Sequence, residues 1–406
     1  MTRRIIVIGG GWAGLAAAAT AASNGAEVVL LEARRELGGR ARTEAVDGFM
    51  FNQGAHALYA GFEGMRVLRG LGIEPKGNKP PLKGYGRLRG KVGLMPGTPL
   101  DSIRSPMIGL GAKVQLGKLL ANPKKVLRTE MIGRSMQQWI EEQVSNADAR
   151  LILAMVARTA TYQDDLNSVA ACVGVPQTIG ALTDGVLYLD GGWQQIVNAL
   201  RNIATEAGVK IDTDAKVESL NDIDDCDAVI IASGGPSHAA KLLGNRSTLV
   251  GEWAAAAQPV YASSLDLGLR SLPVPQRRFC LGVDSPLYFS THTPSAKLAP
   301  DGCELVHVLR YGDAPGDPRA EMDELLDDAQ PGWQEQVLAE RYGKRWLVAH
   351  DRPTPEQGPL TNRPGPAIPD CDNVFVAGDW VGAHGLLGDA ALASGRDAAL
   401  AALTLM

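Results

Sequence analysis

The chain has 406 residues, 45% of them hydrophobic and only 5% aromatic, which is enough for two domains with sizeable cores. Its 40 basic and 45 acidic residues give a formal charge of −5, and no basic run is interleaved with aromatics, which excludes a nucleic-acid binder. The five cysteines, at 172, 226, 280, 303 and 371, form no CxxC pair, and the six histidines, at 56, 238, 292, 307, 350 and 384, show no ligand spacing, so neither a disulfide framework nor a metal site is expected.

Ile5-Ile6-Val7-Ile8 reads as a buried strand that starts straight after Met1 to Arg4. No signal peptide is therefore expected, no apolar stretch of about 18 uncharged residues predicts a membrane span, and a cytoplasmic location follows. Next come the turn Gly9-Gly10-Gly11-Trp12-Ala13-Gly14, an alanine-rich helix over Ala16 to Ala22 closed by Gly25, the strand Val28 to Leu31, and Glu32. Strand, glycine turn, helix, strand and acid in this order form the dinucleotide-binding βαβ unit. Gly9 permits the tight turn, Gly11 lets backbone approach a pyrophosphate, and Gly14 lets the helix pack on the sheet. The phosphates are expected at the helix N-terminus, and Glu32 is placed to accept both hydroxyls of an adenosine ribose.

Leu31 to Thr43, with a second pair Gly38-Gly39 and then Arg40, resembles the extended motif of flavoproteins in the amine oxidase, phytoene desaturase and protoporphyrinogen oxidase superfamily. Asp47-Gly48-Phe49 and Gly54-Ala55-His56 are similar to that superfamily's next stretch, although Asn52-Gln53 replaces the usual acid. Gly191-Gly192-Trp193, leading a helix that ends near Gly208, then Val209 to Ile211, Ala215 to Glu218 and Ala228 to Ala232, resemble its middle segment. Asn373 to Asp379 and Gly385 to Arg396 resemble its C-terminal flavin motif. The motifs are most similar to the isoprenoid-acting branch, the phytoene desaturase-like and hydroxysqualene oxidoreductase-like proteins.

The resemblance implies an α/β chain with a Rossmann-like FAD-binding domain and a discontinuous α+β substrate domain. It implies FAD, non-covalent because no cysteine falls on the segment that tethers it in some relatives. The contacts it implies are Gly9, Gly11, Trp12, Ala13 and Gly14 in the first turn; Glu32 and Ala33 at the ribose; Gly39, with Arg40 offsetting the pyrophosphate charge; Ala55; Val217, whose backbone meets the adenine; Gly378; Asp379 at ribityl or phosphate oxygens; and Leu387. Residues 1–75, 185–243 and 361–406 are assigned to the FAD domain, and 76–184 and 244–360 to the substrate domain.

Within the substrate segments, Pro75 to Pro123 is rich in Gly, Pro and Lys with little periodicity. From 109 to 128, Lys113, Lys118, Lys124, Lys125 and Arg128 alternate with apolar residues, which predicts a basic amphipathic helix, either a solvated cap or a peripheral contact with the inner face of an anionic membrane. Residues 130–172 read as helical and 244–360 as strands with an acidic helix near 319–330. Six prolines between Pro353 and Pro369 predict an extended connector between domains.

In the implied chemistry a substrate C–H delivers hydride to flavin N5 while the protein positions the pair. His56 and His384 are the catalytic candidates, whereas His350 and His307 read as ordinary fold residues. Phe375 supplies one ring of the amine oxidases' aromatic cage, but the partner position falls at Leu386. An apolar lining of Phe375, Leu386 and Leu387 favours an isoprenoid-like small molecule. The alternatives are an amine oxidase acting on a C–N bond and a redox-neutral isomerase or non-catalytic FAD protein. Substrate identity, electron acceptor and oligomeric state stay open.

Overall fold

The computed structural model describes residues 2–81, 83–95, 105–128, 130–293 and 295–404. Part of the Gly-, Pro- and Lys-rich stretch, at 82 and 96–104, lies outside the described residues. Strands β1 (Arg4–Ile8), β2 (Glu27–Leu31), β3 (Lys210–Asp212), β4 (Ala228–Ile231) and β5 (Val374–Val376) form a parallel sheet in the order β3-β2-β1-β4-β5. Both faces are covered, which explains why these strands are apolar runs rather than alternating ones. One face packs on α1 (Trp12–Ser23), α2 (Gln194–Glu206) and α3 (Leu387–Leu403), the other on the loop at Val217 and the helix Gly235–Leu243.

Small residues set the depth of that packing. Ala16 to Ala19 and Ala21 on α1 are fully buried. On α3, a Cβ at Gly395 would lie 2.2 Å from the Ala13 carbonyl oxygen, so the two helix backbones meet where no side chain fits.

A second sheet has seven strands in the order Val337–Ala349, Val260–Leu269, Glu304–Tyr311, Leu287–Thr291, Phe279–Gly282, Tyr85–Leu88 and Lys91–Leu94. One face packs on the acidic helix Pro318–Ala329; the other contributes Leu281, Tyr288, Leu309 and Tyr311 to a core shared with the helices at 136–183. The α/β fold with a Rossmann-like domain and an α+β partner is thus the one the motifs imply.

Three local expectations change. The stretch with little periodicity contains a hairpin at Tyr85–Leu94, turned by Arg89 and Gly90 at φ +51° and +72°, and it joins the second sheet through Phe279–Gly282. The helix expected over 109–128 is two, Leu110–Leu120 and Pro123–Val126, because Pro123 cannot continue the first and Asn122 caps the second through Lys125 N–H. The 13-residue strand Val337–Ala349 falls within the stretch read as strands, but no apolar run marks its bounds; it is a sheet edge that carries Glu340, Arg341, Lys344 and Arg345 where a central strand would be apolar. The proline-rich connector runs from that edge strand to β5, with Pro366 accepting a hydrogen bond from Val376 N–H at 2.8 Å.

Candidate cofactor and active site

Each glycine of the first turn has a different reason to be there. Gly9 has φ +109°, and a Cβ on it would sit 2.9 Å from the Ala232 carbonyl oxygen. At Gly14 a Cβ would sit 1.8 Å from the Gly9 carbonyl oxygen, so helix and turn could not close. Gly11 differs: its φ of −76° suits any residue, and a Cβ there would have nothing of the protein within 4 Å. The second glycine pair is laid on this turn, with Gly38 N–H donating to the Gly10 carbonyl at 2.7 Å and a Cβ at Gly39 3.6 Å from Gly11 Cα.

Glu32 is held from two sides, accepting from Gly10 N–H at 2.6 Å and from Arg34 N–H at 2.9 Å. Each carboxylate oxygen keeps a second acceptor site, so ribose hydroxyls can still donate to it. The Ala215 N–H donates to the Glu32 carbonyl at 2.9 Å, which brings the loop bearing the buried Val217 alongside the same acid, past the exposed Ala33. Glu32→Ala should weaken cofactor binding by about 1.5–3 kcal/mol, the worth of a hydrogen bond to a charged group, and free Gly10 N–H as well. Titration of the apoprotein measures this, and an unchanged affinity would remove Glu32 from the site.

Arg40 does not stand free to meet a pyrophosphate. Its guanidinium donates to the Val348 carbonyl at 2.6 Å and to Asp379 Oδ2 at 3.0 Å, and it lies 3.1 Å from His350 Nδ1. Asp379 is buried, and His350 meets it twice, through its backbone N–H at 3.0 Å and through Nδ1 at 2.7 Å. Burial alone would raise the Asp379 carboxyl, but Arg40 and His350 outweigh it and hold it well below the usual range. A carboxylate only accepts, so Asp379 suits ribityl hydroxyls and repels phosphate oxygens. His350, an ordinary fold residue by sequence, is therefore part of this cluster. Arg363 was not visible in the sequence either: it donates to the carbonyls of Gly382 at 2.8 Å, Asp379 at 3.0 Å and Gly385 at 2.9 Å, pinning the loop that leads into α3.

His56 is half-buried, its Nδ1 3.1 Å from the Gly54 carbonyl and its ring 4.2 Å from that of Trp193. Burial, helped by the nearby His307, pushes its pKa down to about 3, so it is neutral at physiological pH and a poor proton acceptor. Ala55 beside it is anchored through its carbonyl by the Tyr162 hydroxyl at 2.9 Å. His384 is exposed and does not line the cavity next to Asp379, because the loop at 382–385 turns it to solvent. Phe375 also departs from expectation. Side chains alternate along β5, and Phe375 points to the face shared by Ile5, Val7 and Ile230, inside the core under α1, while Val374 and Val376 take the other face. It cannot line an open flavin face. Leu386 and Leu387 do line a 20 Å³ cavity, with Val169, Val173 and Asp379. Leu387 starts α3 at φ +56°, a conformation that β-carbon-bearing residues rarely hold.

Asp389, in the first turn of α3, is buried and accepts from Gly64 N–H at 2.8 Å. Burial raises its pKa from 3.8 to about 7; the Gly64 bond opposes and Glu63 assists. A carboxyl raised on folding favours the folded state in acid and loses that advantage as pH rises from the unfolded to the folded value. Asp389→Asn keeps an acceptor for Gly64 and carries no charge. Its stabilisation over wild type should grow by about 3 kcal/mol between pH 5 and pH 8. Unfolding midpoints at the two pH values test this, and a difference that does not change with pH would contradict it.

Fold and loop geometry define a dinucleotide-binding Rossmann-like domain joined to an α+β domain, and the chain is similar to proteins of the kinds its motifs resemble. Residues 7–71 match the NAD(P)-binding Rossmann-like domain family. The sequence is similar to the mitochondrial protoporphyrinogen oxidase of Nicotiana tabacum, 32% identical over 117 residues, 28% of this chain and 23% of that protein. It is also similar to the carotenoid 3,4-desaturase of Haloarcula japonica, 28% identical over 251 residues, 53% of this chain and 50% of that protein. The chain thus spans no more than half the length of these curated relatives. The structure superposes on cyclohexylamine oxidase from Brevibacterium oxydans with a TM-score of 0.73 at 15% identity, covering 99% of both chains, a likeness of fold. All three named proteins are oxidoreductases. No helix among the described residues is long and apolar enough to cross a membrane.

Proposed function

We propose that the chain is an FAD-dependent oxidoreductase acting on a C–H bond of an apolar, isoprenoid-like small molecule, with FAD held non-covalently. One observation carries the cofactor: Gly11 needs no glycine for its own backbone or packing, yet stands at the N-terminus of α1 with open space beyond its Cα. That is the fit a pyrophosphate requires. Glu32 would hold the ribose, and Asp379, oriented by Arg40 and His350, the ribityl hydroxyls. When bound, FAD supplies the two-electron acceptor. The substrate class rests on the resemblance to isoprenoid-acting proteins; the small cavity beside Asp379 is lined by Leu386, Leu387, Val169 and Val173 together with the polar Thr161, Gln163, Asp351 and Arg352, and by no aromatic residue. With Phe375 in the core, neither cage position offers a ring to an amine.

The purified protein should be yellow and release FAD on acid precipitation, whereas flavin kept in the pellet would contradict non-covalent binding. Anaerobic flavin reduction with a panel of isoprenoids, amines and amino acids tests the rest. Apolar polyenes or isoprenoid alcohols should compete for the site and common primary amines should bleach the flavin slowly. Rapid bleaching by an amine, unaffected by isoprenoids, would make the protein an amine oxidase; turnover without net oxidation would make it an isomerase.

We also propose that the helix at 110–120 and the turns after it rest on an anionic membrane. Leu110 is 77% and Ile132 70% exposed, with Val114, Leu120 and Leu127 also exposed beside Lys118, Lys124, Lys125 and Arg128. Apolar side chains of this kind insert while the cations meet lipid phosphate. Co-sedimentation with phosphatidylglycerol vesicles, lost with phosphatidylcholine alone, is expected; equal recovery with both, or none with either, would overturn it.

A further inference from the structure

One rung of the second sheet carries a buried charge. Arg341, Asp266, His307 and Ser290 are successive cross-strand partners on Val337–Ala349, Val260–Leu269, Glu304–Tyr311 and Leu287–Thr291, so they project from the same face. Asp266 is 1% exposed. Its Oδ1 lies 2.7 Å from His307 Nδ1 and accepts from Ser264 Oγ at 2.8 Å, while Oδ2 accepts from Arg341 Nη2 at 2.7 Å and Nε at 3.2 Å. A carboxylate only accepts, so each oxygen is used twice. Burial opposes the charge, but His307 and Arg341 outweigh it and hold the carboxyl below its usual range.

Over this rung lies the segment from Phe49 to His56, stretched along the strand of Asp266. A Cβ on Gly268 would lie 2.7 Å from the Phe49 ring, and one on Gly54 would lie 3.6 Å from Ser264 Oγ. Between these points Arg341 donates to the Asn52 carbonyl, which also accepts from Gly54 N–H at 2.8 Å, and the guanidinium lies 5.2 Å from the Phe51 ring centroid. The turn then delivers His56, whose Nδ1 is 3.1 Å from the Gly54 carbonyl. Asn52 reaches the other way as well, its Oδ1 accepting from Trp193 N–H at 3.0 Å at the start of α2. Asp266 thus sets two arms, Arg341 on the Asn52 carbonyl and Ser264 beneath Gly54. An apolar rung would pack as firmly, because a buried ion pair is a weak source of stability. What the carboxylate adds is direction, since two bonds to one edge of the guanidinium fix the plane in which its fork points.

We propose that Asp266 is a positioning residue for the cofactor: through Arg341 and Ser264 it makes the second sheet hold the turn at 52–56, and with it Ala55 and His56, in place against the flavin. The last step rests on the FAD reading above; the clamp on the turn does not. An amide in place of the carboxylate keeps the shape but has one acceptor oxygen, so one of its neighbours then meets a donor and the two arms are no longer set together.

The test uses the full-length protein and its Asp266→Asn, Arg341→Met and double variants, with amide hydrogen exchange of each apoprotein, and FAD titration with the visible spectrum of the bound flavin. Asp266→Asn should speed exchange at 52–56 about tenfold with β1 and β2 unchanged, shift the flavin bands, and raise the Kd for FAD about tenfold, or about 1.4 kcal/mol. Arg341→Met should do the same, and the double variant should exceed neither, because the two residues act through each other. Wild-type exchange at 52–56, faster exchange spread evenly over the chain, or a faster turn that leaves flavin bands and Kd unchanged would each overturn the proposal, as would additive effects. If Asp266→Asn does not fold, Arg341→Lys, which keeps the charge without the fork, decides on the same terms. Failure of the wild-type protein to bind FAD would fall on the cofactor reading, and hydrogen exchange would still decide the clamp.

Discussion

Gly11→Val is expected to give a folded protein that cannot hold FAD. The backbone there has φ −76°, which valine adopts without strain, and no protein atom lies within 4 Å of the added Cβ, so the apoprotein should unfold within about 1 kcal/mol of wild type. The branched side chain instead occupies the space assigned to the pyrophosphate, and affinity should fall on the order of 100-fold, about 2.7 kcal/mol. Gly14→Val makes the contrast. Its Cβ would sit 1.8 Å from the Gly9 carbonyl oxygen, so that variant should fail to accumulate as folded protein. Flavin content together with the apoprotein melting curve separates the two. A yellow Gly11→Val protein with normal FAD would show that the cofactor does not pass over this turn.

Arg363→Met should remove about 3–5 kcal/mol of stability, a large share of what a folded chain has in reserve. The guanidinium is mostly enclosed, and burial pushes its pKa down to about 10, opposed by Asp379 and Asp351, so it is still charged at neutral pH. Methionine would leave the carbonyls of Asp379, Gly382 and Gly385 without their donor and remove a positive charge that Asp379 and Asp351 favour. Arg363→Lys should recover less than half of the loss, because one ammonium cannot span three acceptors as a planar fork does. Denaturant unfolding of the two variants provides the measurement. A methionine variant within about 1 kcal/mol of wild type would show that the loop holds itself.

What could be read from the sequence follows from how far apart the partners lie. Gly9, Gly14, Glu32 and the first two strands sit within one βαβ unit, where spacing translates directly into geometry, and the fold class came with them. The cluster at Asp379 draws on residues 40, 348, 350, 363 and 379, and no local pattern marks Arg363 or His350 as members. Phe375 illustrates a finer failure. In a strand of period two, the residue chosen decides the face, and a motif match says which strand is present without saying which side its ring takes. The bounds of the edge strand at 337–349 are hidden by its charges, which are what protects an edge from pairing with another chain. Leu386, by contrast, is singled out because it replaces an expected aromatic, a signal that needs no tertiary knowledge.

The close seam between α1 and α3 also bears on the order in which the molecule can be assembled. β1 and α1 are made before β5 and α3, which cover one edge of their sheet and the fully buried alanine face and follow more than 340 residues later. At about 5–20 residues per second, the opening βαβ unit waits some tens of seconds with that face bare. During this interval the alanine face has no cover, and the loop of Arg363 and Asp379 does not yet exist. A site that draws on residues from both the opening unit and this loop is therefore complete only once the later segment has been made.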